Sequence, residues 1–303
     1  MKLSDLGERG LIWRIARGIR VDSSVIRGIG DDCAVLEGPG GKFLLFASDM
    51  LVEGVHFRSA APPAAIGWKA LAVNLSDIAA MGGIPRYAVI SLGLPKATAV
   101  SFVDGLYRGL RRCADRFGVN LVGGDTDRSP HVVVDVAILG QVERERVVYR
   151  SGARVGDALL VTGRLGGAVR SGRHLTFSPR LREARALGAR VKIHAMIDLS
   201  DGLGPDLVRL CEASKVGATL QASLIPRRAG SSLAQALREG EDFELLMAVA
   251  QADVSGLLSW AKRHLPCGLS SVGRIVAQRG NPLVRLKGSG RPGTFSLSGF
   301  QHF

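Results

Sequence analysis

The sequence predicts an α/β (α+β) protein of two domains, and three observations carry that prediction. The chain has 303 residues, enough for two domains of about 150 residues each. Apolar runs of strand length alternate with longer segments of helical period from one end to the other. Turn residues cluster in "YRSGARVGDALLVTG", just ahead of a fresh apolar strand at 158–162, which sets the boundary between residues 1–150 and 151–303.

Taken in order, residues 4–20 read as an amphipathic helix opened by Ser4. "IRGIGDDCAVL" (26–36) then sets Asp31 and Asp32 between a glycine-rich turn and an apolar strand-like run, and "KFLLFASDML" (42–51) is a strand. "PPAAIGWKALAVNLSDIAAMGG" is a helix with prolines at its start and Gly82-Gly83 at its end. The strand "RYAVISLGL", a helix over 97–117 and the strands "VNLVGG" and "HVVVDVAILGQV" complete the first domain. In the second, strands near 193–198, 218–223, 243–250 and 269–276 alternate with helices near 203–214 and 251–264. No repeat of fixed period and no low-complexity segment interrupts this order.

Composition narrows the function. With 40 Lys+Arg against 27 Asp+Glu the net charge is +13, which favours polyanionic ligands without choosing among them. Aromatics are 5% of the residues and form no stripe with the basic ones, which argues against nucleic acid as the partner. The charged N-terminus lacks the apolar core of a signal peptide, and no run approaches the roughly 18 apolar residues of a membrane span. The expectation is a cytoplasmic protein without a membrane partner. Cys33, Cys113, Cys211 and Cys267 form no C-x-x-C pair and read as reduced, packed thiols.

Against this positive balance, Asp32, Asp49, Asp77, Asp125, Asp198 and Asp201 each sit at or beside the end of an apolar segment. Any one of them alone reads as a turn or helix cap; Asp201, before "GLGPDLVRL", is placed to be one. Gathered at one site they would raise each other's pKa and cost stability unless cations neutralised them. An all-oxygen set with the Ser48 and Ser200 hydroxyls nearby, and no His/Cys cluster at metal spacing, favours Mg²⁺, which commonly accompanies a phosphate-bearing substrate. Asp31 points away from Asp32 if the segment is extended. No G-x-x-x-x-G-K-[ST] loop is present. The G-x-G-x-x-G of Gly288, Gly290 and Gly293 leads into a strand-like run instead of a helix.

The stretches "GIGDDCAVL", "SDMLVEGVHF", "KALAVNLSDIAAMGG", "LVGGDTDRS", "YRSGA", "MIDLSDGL", "GEDFEL" and "GFQHF" follow one another across nearly the whole chain. Together they resemble the thiamine-monophosphate kinases, of the superfamily that includes aminoimidazole ribonucleotide synthetase. The resemblance implies that fold, with an N-terminal domain forming a β-barrel across a homodimer and a C-terminal α/β domain completing the substrate site. It implies transfer of a phosphoryl group from ATP to thiamine monophosphate, assisted by several Mg²⁺ ions and without a general base. Carried over residue by residue, it implies metal ligation by Asp32, Ser48, Asp49, Asp77, Asp125, Asp198 and Asp201. It gives ATP contacts at Gly124, Asp125, Arg150 and Ser200, and thiamine monophosphate contacts at His56, Glu241 and Phe300.

Four departures from the family pattern bear on the substrate end: Ala47 where a hydroxyl is common, Phe300 where an aromatic with a polar tip is common, Glu239 where a second glycine is common, and a shortened region 166–190. The residues also admit plainer roles. His56 reads equally as a core histidine, Arg150 as a surface cation, Asn74 as a buried amide, and Glu241 as a cap on the strand after it. Another superfamily member acting on a different phosphorylated acceptor is the nearest alternative: the chain lacks the early reactive Cys of a selenophosphate synthetase and the terminal Cys of a hydrogenase-maturation relative, while "SDMLVEGVHF" and "GFQHF" speak against an aminoimidazole ribonucleotide synthetase. A non-enzymatic polyanion binder whose aspartates only cap turns is the alternative of a different class.

Overall fold

In the computed structural model, which describes residues 2–278, 280, 283–288 and 293–294, the first half opens with helix α1 (Leu3–Ala16) and builds one six-stranded sheet. Its strands are β1 (Val25–Arg27), β2 (Ala34–Glu37), β3 (Lys42–Val52), β4 (Ile84–Leu94), β5 (Asn120–Arg128) and β6 (Val133–Glu143), in the order β1-β2-β3-β6-β4-β5. β3, β6 and β4 are antiparallel over long registers, and β5 runs parallel to β4 at the edge. Burial alternates along β6, with Val134, Val136 and Ile138 inward, as a sheet covered on one face requires.

Helix α2 (Pro63–Ala80) covers the inner face and α3 (Val100–Phe117) packs on α2. The two helices approach through glycines. A Cβ on Gly67 would lie 1.9 Å from the Leu106 carbonyl oxygen, and one on Gly109 would lie 1.9 Å from that of Ala64. The outer face is left open, carrying exposed Phe46, Met50, Tyr87, Val89 and Val122, and the sheet closes no barrel within one chain.

The second half contributes β7 (Ala158–Thr162), α4 (Leu181–Gly188), β8 (Ile193–Asp198), α5 (Leu203–Ser214), β9 (Gly217–Gln221), α6 (Leu233–Arg238), β10 (Leu245–Val249), α7 (Val254–His264), β11 (Leu269–Val276), β12 (Val284–Lys287) and β13 (Gly293–Thr294). Its seven-stranded sheet runs β13-β12-β9-β11-β7-β10-β8 and is antiparallel except where β12 meets β9. β7 and β10 are buried at every residue, which explains their unbroken apolar sequences "ALLVT" and "LLMAV".

Several boundaries differ from the sequence reading. α1 stops at Ala16 and is kinked at Gly7, whose φ is 67°. α4, α6, β1, β12 and β13 have no counterpart there, because elements this short show too little periodicity to stand out. No helix of the described residues is long and apolar enough to cross a membrane. Cys33, Cys113 and Cys211 are buried free thiols, and burial pushes the Cys33 thiol well above its ordinary value.

α2 also joins the halves. Besides the first sheet it packs against α4 and β8, and Trp68 Nε1 donates to the Phe177 carbonyl at 2.7 Å. Nearby, Arg185 of α4 grips Glu143 of β6 through two bonds of 2.6 and 2.8 Å and reaches the Gly82 carbonyl at 3.1 Å. The two halves thereby face each other across a cleft.

Candidate active site

A cavity of about 370 Å³ opens in that cleft. Asp32 enters it from the turn before β2, Ser48 and Asp49 from β3, Lys69 and Asp77 from α2, and Asp198 from the end of β8, followed by Ser200 and Asp201. The carboxylates of Asp32, Asp77 and Asp198 approach until one oxygen of each lies within 4.8 Å of the others. The reason is local: α2 carries Asp77 past the C-terminal end of β8, where the strand's last residue is Asp198.

Burial comes first among the causes that push Asp77 and Asp198 well above the usual carboxylate range. Asp49 and Asp198 repel the charge on Asp77, and Asp32 repels that on Asp198. Asp49 is raised too, chiefly by burial, and is hydrogen-bonded to Asp77. Asp198 Oδ2 accepts from Ser76 Oγ at 2.6 Å, and Asp32 Oδ1 from Arg150 Nη2 at 2.7 Å. Asp32 Oδ2 is buried with no hydrogen-bond partner. An orphaned carboxylate oxygen aimed among other carboxylates, in an all-oxygen set, fits a hard divalent cation such as Mg²⁺.

Asp201 lines the same cavity but is paired with Arg209. It does not cap α5. The N-cap position is Gly202, with no side-chain cap; Asp206, inside the first turn, accepts through Oδ2 from the amides of Asp201 and Gly202 at 3.0 and 3.1 Å, and burial pushes its carboxyl up to about 7. Ser48 Oγ donates to Asp135 Oδ1 at 3.0 Å. Asp31 turns away from the three-carboxylate cluster, accepting from the Arg150 amide at 3.0 Å, and is raised to about 6, mainly by burial. Asn74 is fully buried and its Nδ2 donates to the Ala70 carbonyl at 3.0 Å, but its Oδ1 is buried with no hydrogen-bond partner, so the amide is only half satisfied.

Gly124 and Asp125 lie elsewhere in a single chain. They sit exposed on edge strand β5, separated from β3 by β6 and β4, roughly 14 Å along the sheet at about 4.8 Å per strand. Gly124 has φ 154°, and a Cβ there would lie 1.7 Å from the Ile90 carbonyl oxygen, so glycine is required by the close passage of β4.

At the far end of the cavity stand His56 and Glu241. His56 Nδ1 accepts from the Val52 amide at 3.0 Å, which leaves the ring proton of the neutral form on Nε2. Glu241 adopts φ 60° and meets Lys69, whose Nζ donates to Glu241 Oε1 and to the His56 carbonyl, both at 2.8 Å. Burial pushes the ammonium down and the carboxyl up. Glu239, a departure at the sequence level, ties down a neighbouring loop, its carboxylate accepting from the Gly167 amide at 2.8 Å. Ala47 borders the cavity without a side-chain donor, and Phe300 lies outside the described residues.

Sequence reasoning passed over Lys69, Ser76, Asp135 and Arg209. A charge inside the apolar helical run "AIGWKALAVNL", and another inside "VVVDVAIL", were the available signals for Lys69 and Asp135.

Comparison with known proteins bears on family and fold. The AIR synthase related protein N-terminal domain matches residues 30–142, and the corresponding C-terminal domain matches residues 154–284. The chain is 36% identical to the thiamine-monophosphate kinase of Synechococcus elongatus, over 99% of this chain and 98% of that one. It is 36% identical to the thiamine-monophosphate kinase of Escherichia coli K12, over 98% of each. Among solved structures, AaThiL complexed with AMPPCP and TMP superposes with a TM-score of 0.85 at 31% identity, covering 100% of this chain and 99% of the other. Escherichia coli HypE, a hydrogenase maturation protein, shares the fold at 22% identity and a TM-score of 0.69, over 84% of this chain and 85% of that one.

Proposed function

This chain belongs to the thiamine-monophosphate kinase family, within the AIR synthase related proteins, and from that premise we propose that it transfers the γ-phosphoryl group of ATP to thiamine monophosphate, giving thiamine diphosphate and ADP. The observation that carries the reading is the single cavity into which both halves send buried carboxylates, with Arg150 beside them and the Lys69–Glu241 pair beyond.

The acceptor needs no general base, because a phosphate monoester is largely doubly ionised near neutrality, with a second pKa of about 6. The barrier is the meeting of two polyanions, answered by positioning and charge. Asp32, Asp49, Asp77 and Asp198 would hold Mg²⁺, with Ser48, Asp125 and Asp201 as further ligands; bound there, several ions would neutralise the phosphate oxygens and align donor with acceptor. Arg150, aimed by its bond to Asp32, offers its guanidinium to the triphosphate, and Ser200 and Gly124 contribute further ATP contacts. Ser76 holds the Asp198 carboxylate in orientation from α2. His56, Glu241 and Phe300 hold the thiamine end.

The same reading extends to assembly. The exposed apolar residues on the outer face of the first sheet pair with their counterparts in a second copy, closing a β-barrel across a homodimer. The second copy brings β5, with Gly124 and Asp125, into an enclosed setting. We place the domain boundary at 150/151 and the enzyme in the cytoplasm.

Product analysis tests this function. Purified protein incubated with ATP, Mg²⁺ and thiamine monophosphate should yield thiamine diphosphate and ADP in equal amounts, with both abolished by a chelator. Magnesium-dependent nucleotide binding without diphosphate would send the search to other phosphorylated acceptors.

A further inference from the structure

The geometry points to Lys69 as a positioning residue for the acceptor end of the cavity: its buried ammonium holds Glu241 and the His56 segment in one fixed arrangement. This inference rests on the reading that His56 and Glu241 hold thiamine monophosphate.

Lys69 is among the largest fully buried side chains of the described residues, with no exposed surface, on a helix whose neighbouring positions are apolar. An ammonium placed there is tolerated only if it is paired and its donors are used. Its Nζ meets both oxygens of Glu241, at 2.8 and 2.7 Å, and the His56 carbonyl at 2.8 Å. One cation from the first half thus ties together a loop of its own half and a loop of the other.

The loop of the other half needs such a tie. Glu241 and Phe243 both adopt left-handed backbone, at φ 60° and 48°, which only the surroundings can enforce on non-glycine residues. Two of its carboxylates are anchored away from the cavity. Asp242 pairs with Arg228 and accepts from the Gly166 amide, while Glu244 takes Arg180 at 2.7 Å and Arg173 at 2.5 Å. Glu241 is the carboxylate turned to the cavity, and its cation is Lys69. The pairing also neutralises Glu241. Recognition of the acceptor there proceeds by an oriented hydrogen-bond acceptor, not by a free negative charge drawing in the cationic ring.

The test is steady-state kinetics on Lys69→Met, with melting temperature and Mg²⁺-dependent AMPPCP binding as controls for folding and for the donor site. The KM for thiamine monophosphate should rise at least about tenfold, which is about 1.4 kcal/mol, while the KM for ATP stays within about twofold. The double variant Lys69→Met/Glu241→Gln should lose less than the two single effects combined, because it leaves no buried unpaired charge. An unchanged KM for thiamine monophosphate, or equal losses for both substrates, overturns the inference. Should Lys69→Met fail to fold, Lys69→Gln, which keeps a donor without the charge, takes its place in the same comparison. Wild-type protein inert toward thiamine monophosphate would overturn the acceptor reading and this inference with it. An active wild type with an indifferent Lys69 variant overturns this inference alone.

Discussion

A carboxylate such as Asp77 shows how a residue can be unfavourable for the fold and still stand at the centre of the candidate site. Burial, then Asp49 and Asp198, hold its proton on well above the usual range. A carboxyl whose folded value is raised stabilises the fold most at low pH, and that contribution drains away as pH climbs through the raised value. Asp77→Asn removes this penalty. In chelator, the variant's melting temperature should gain on that of wild type as pH rises from 5 to 8, and excess Mg²⁺ should narrow or reverse the gap. Activity should fall by about 10²-fold or more, since transition-state charge is then poorly met. A variant with wild-type turnover and no change in Mg²⁺ response would remove Asp77 from the site. Among the residues, Asp32, Asp77 and Asp198 were legible in sequence because a charge ending an apolar run is conspicuous. Lys69 and Ser76 were not, because their partners lie 172 and 122 positions away.

At the scale of elements, α2 does most to shape the cavity, and its seat depends on two glycines. At Gly109 the α3 backbone passes so close to Ala64 that a methyl group has no room. Gly109→Ala should therefore cost about 1–3 kcal/mol by forcing the helices apart, read as a lower denaturant midpoint with an unchanged slope. Because α2 carries Lys69, Ser76 and Asp77 together, the same variant should weaken both substrates' binding. An alanine accommodated without loss of stability would mean that the crossing is looser than its geometry. The helix itself was plain from its prolines and terminal Gly82-Gly83. Its second contact, on α4 and β8, was not, since α4 spans only eight residues and shows barely two turns of period.

For the whole molecule, the link between halves and the open outer face each make a prediction. Arg185 holds the Glu143 carboxyl down to about 2 from an ordinary 4.5, chiefly through its hydrogen bonds. A depressed carboxyl stabilises above its unfolded value, and that help is lost as pH falls through the folded one. Glu143→Gln should thus be less stable than wild type at pH 6, by under about 1 kcal/mol for a pair this exposed, with the gap closing between pH 4.5 and about 2. Urea melts across that range decide it. The outer face predicts a dimer by light scattering, and Val89→Asp should shift the mass toward that of one chain, 32.1 kDa. A monomeric wild type would remove the barrel.

The sequence by itself determined the two-domain α/β alternation, the long strands and helices, and the conspicuous aspartates at the ends of apolar runs. These rest on local periodicity, on turn chemistry and on charges placed where burial is costly, all of which act over a few residues. The tertiary structure alone decided that Asp32, Asp77 and Asp198 meet, that Asp201 answers to Arg209 and Asp125 stays on an outer strand, and that Lys69 bridges the halves. Those outcomes depend on how two sheets are held across one helix, and no short stretch of chain carries that information.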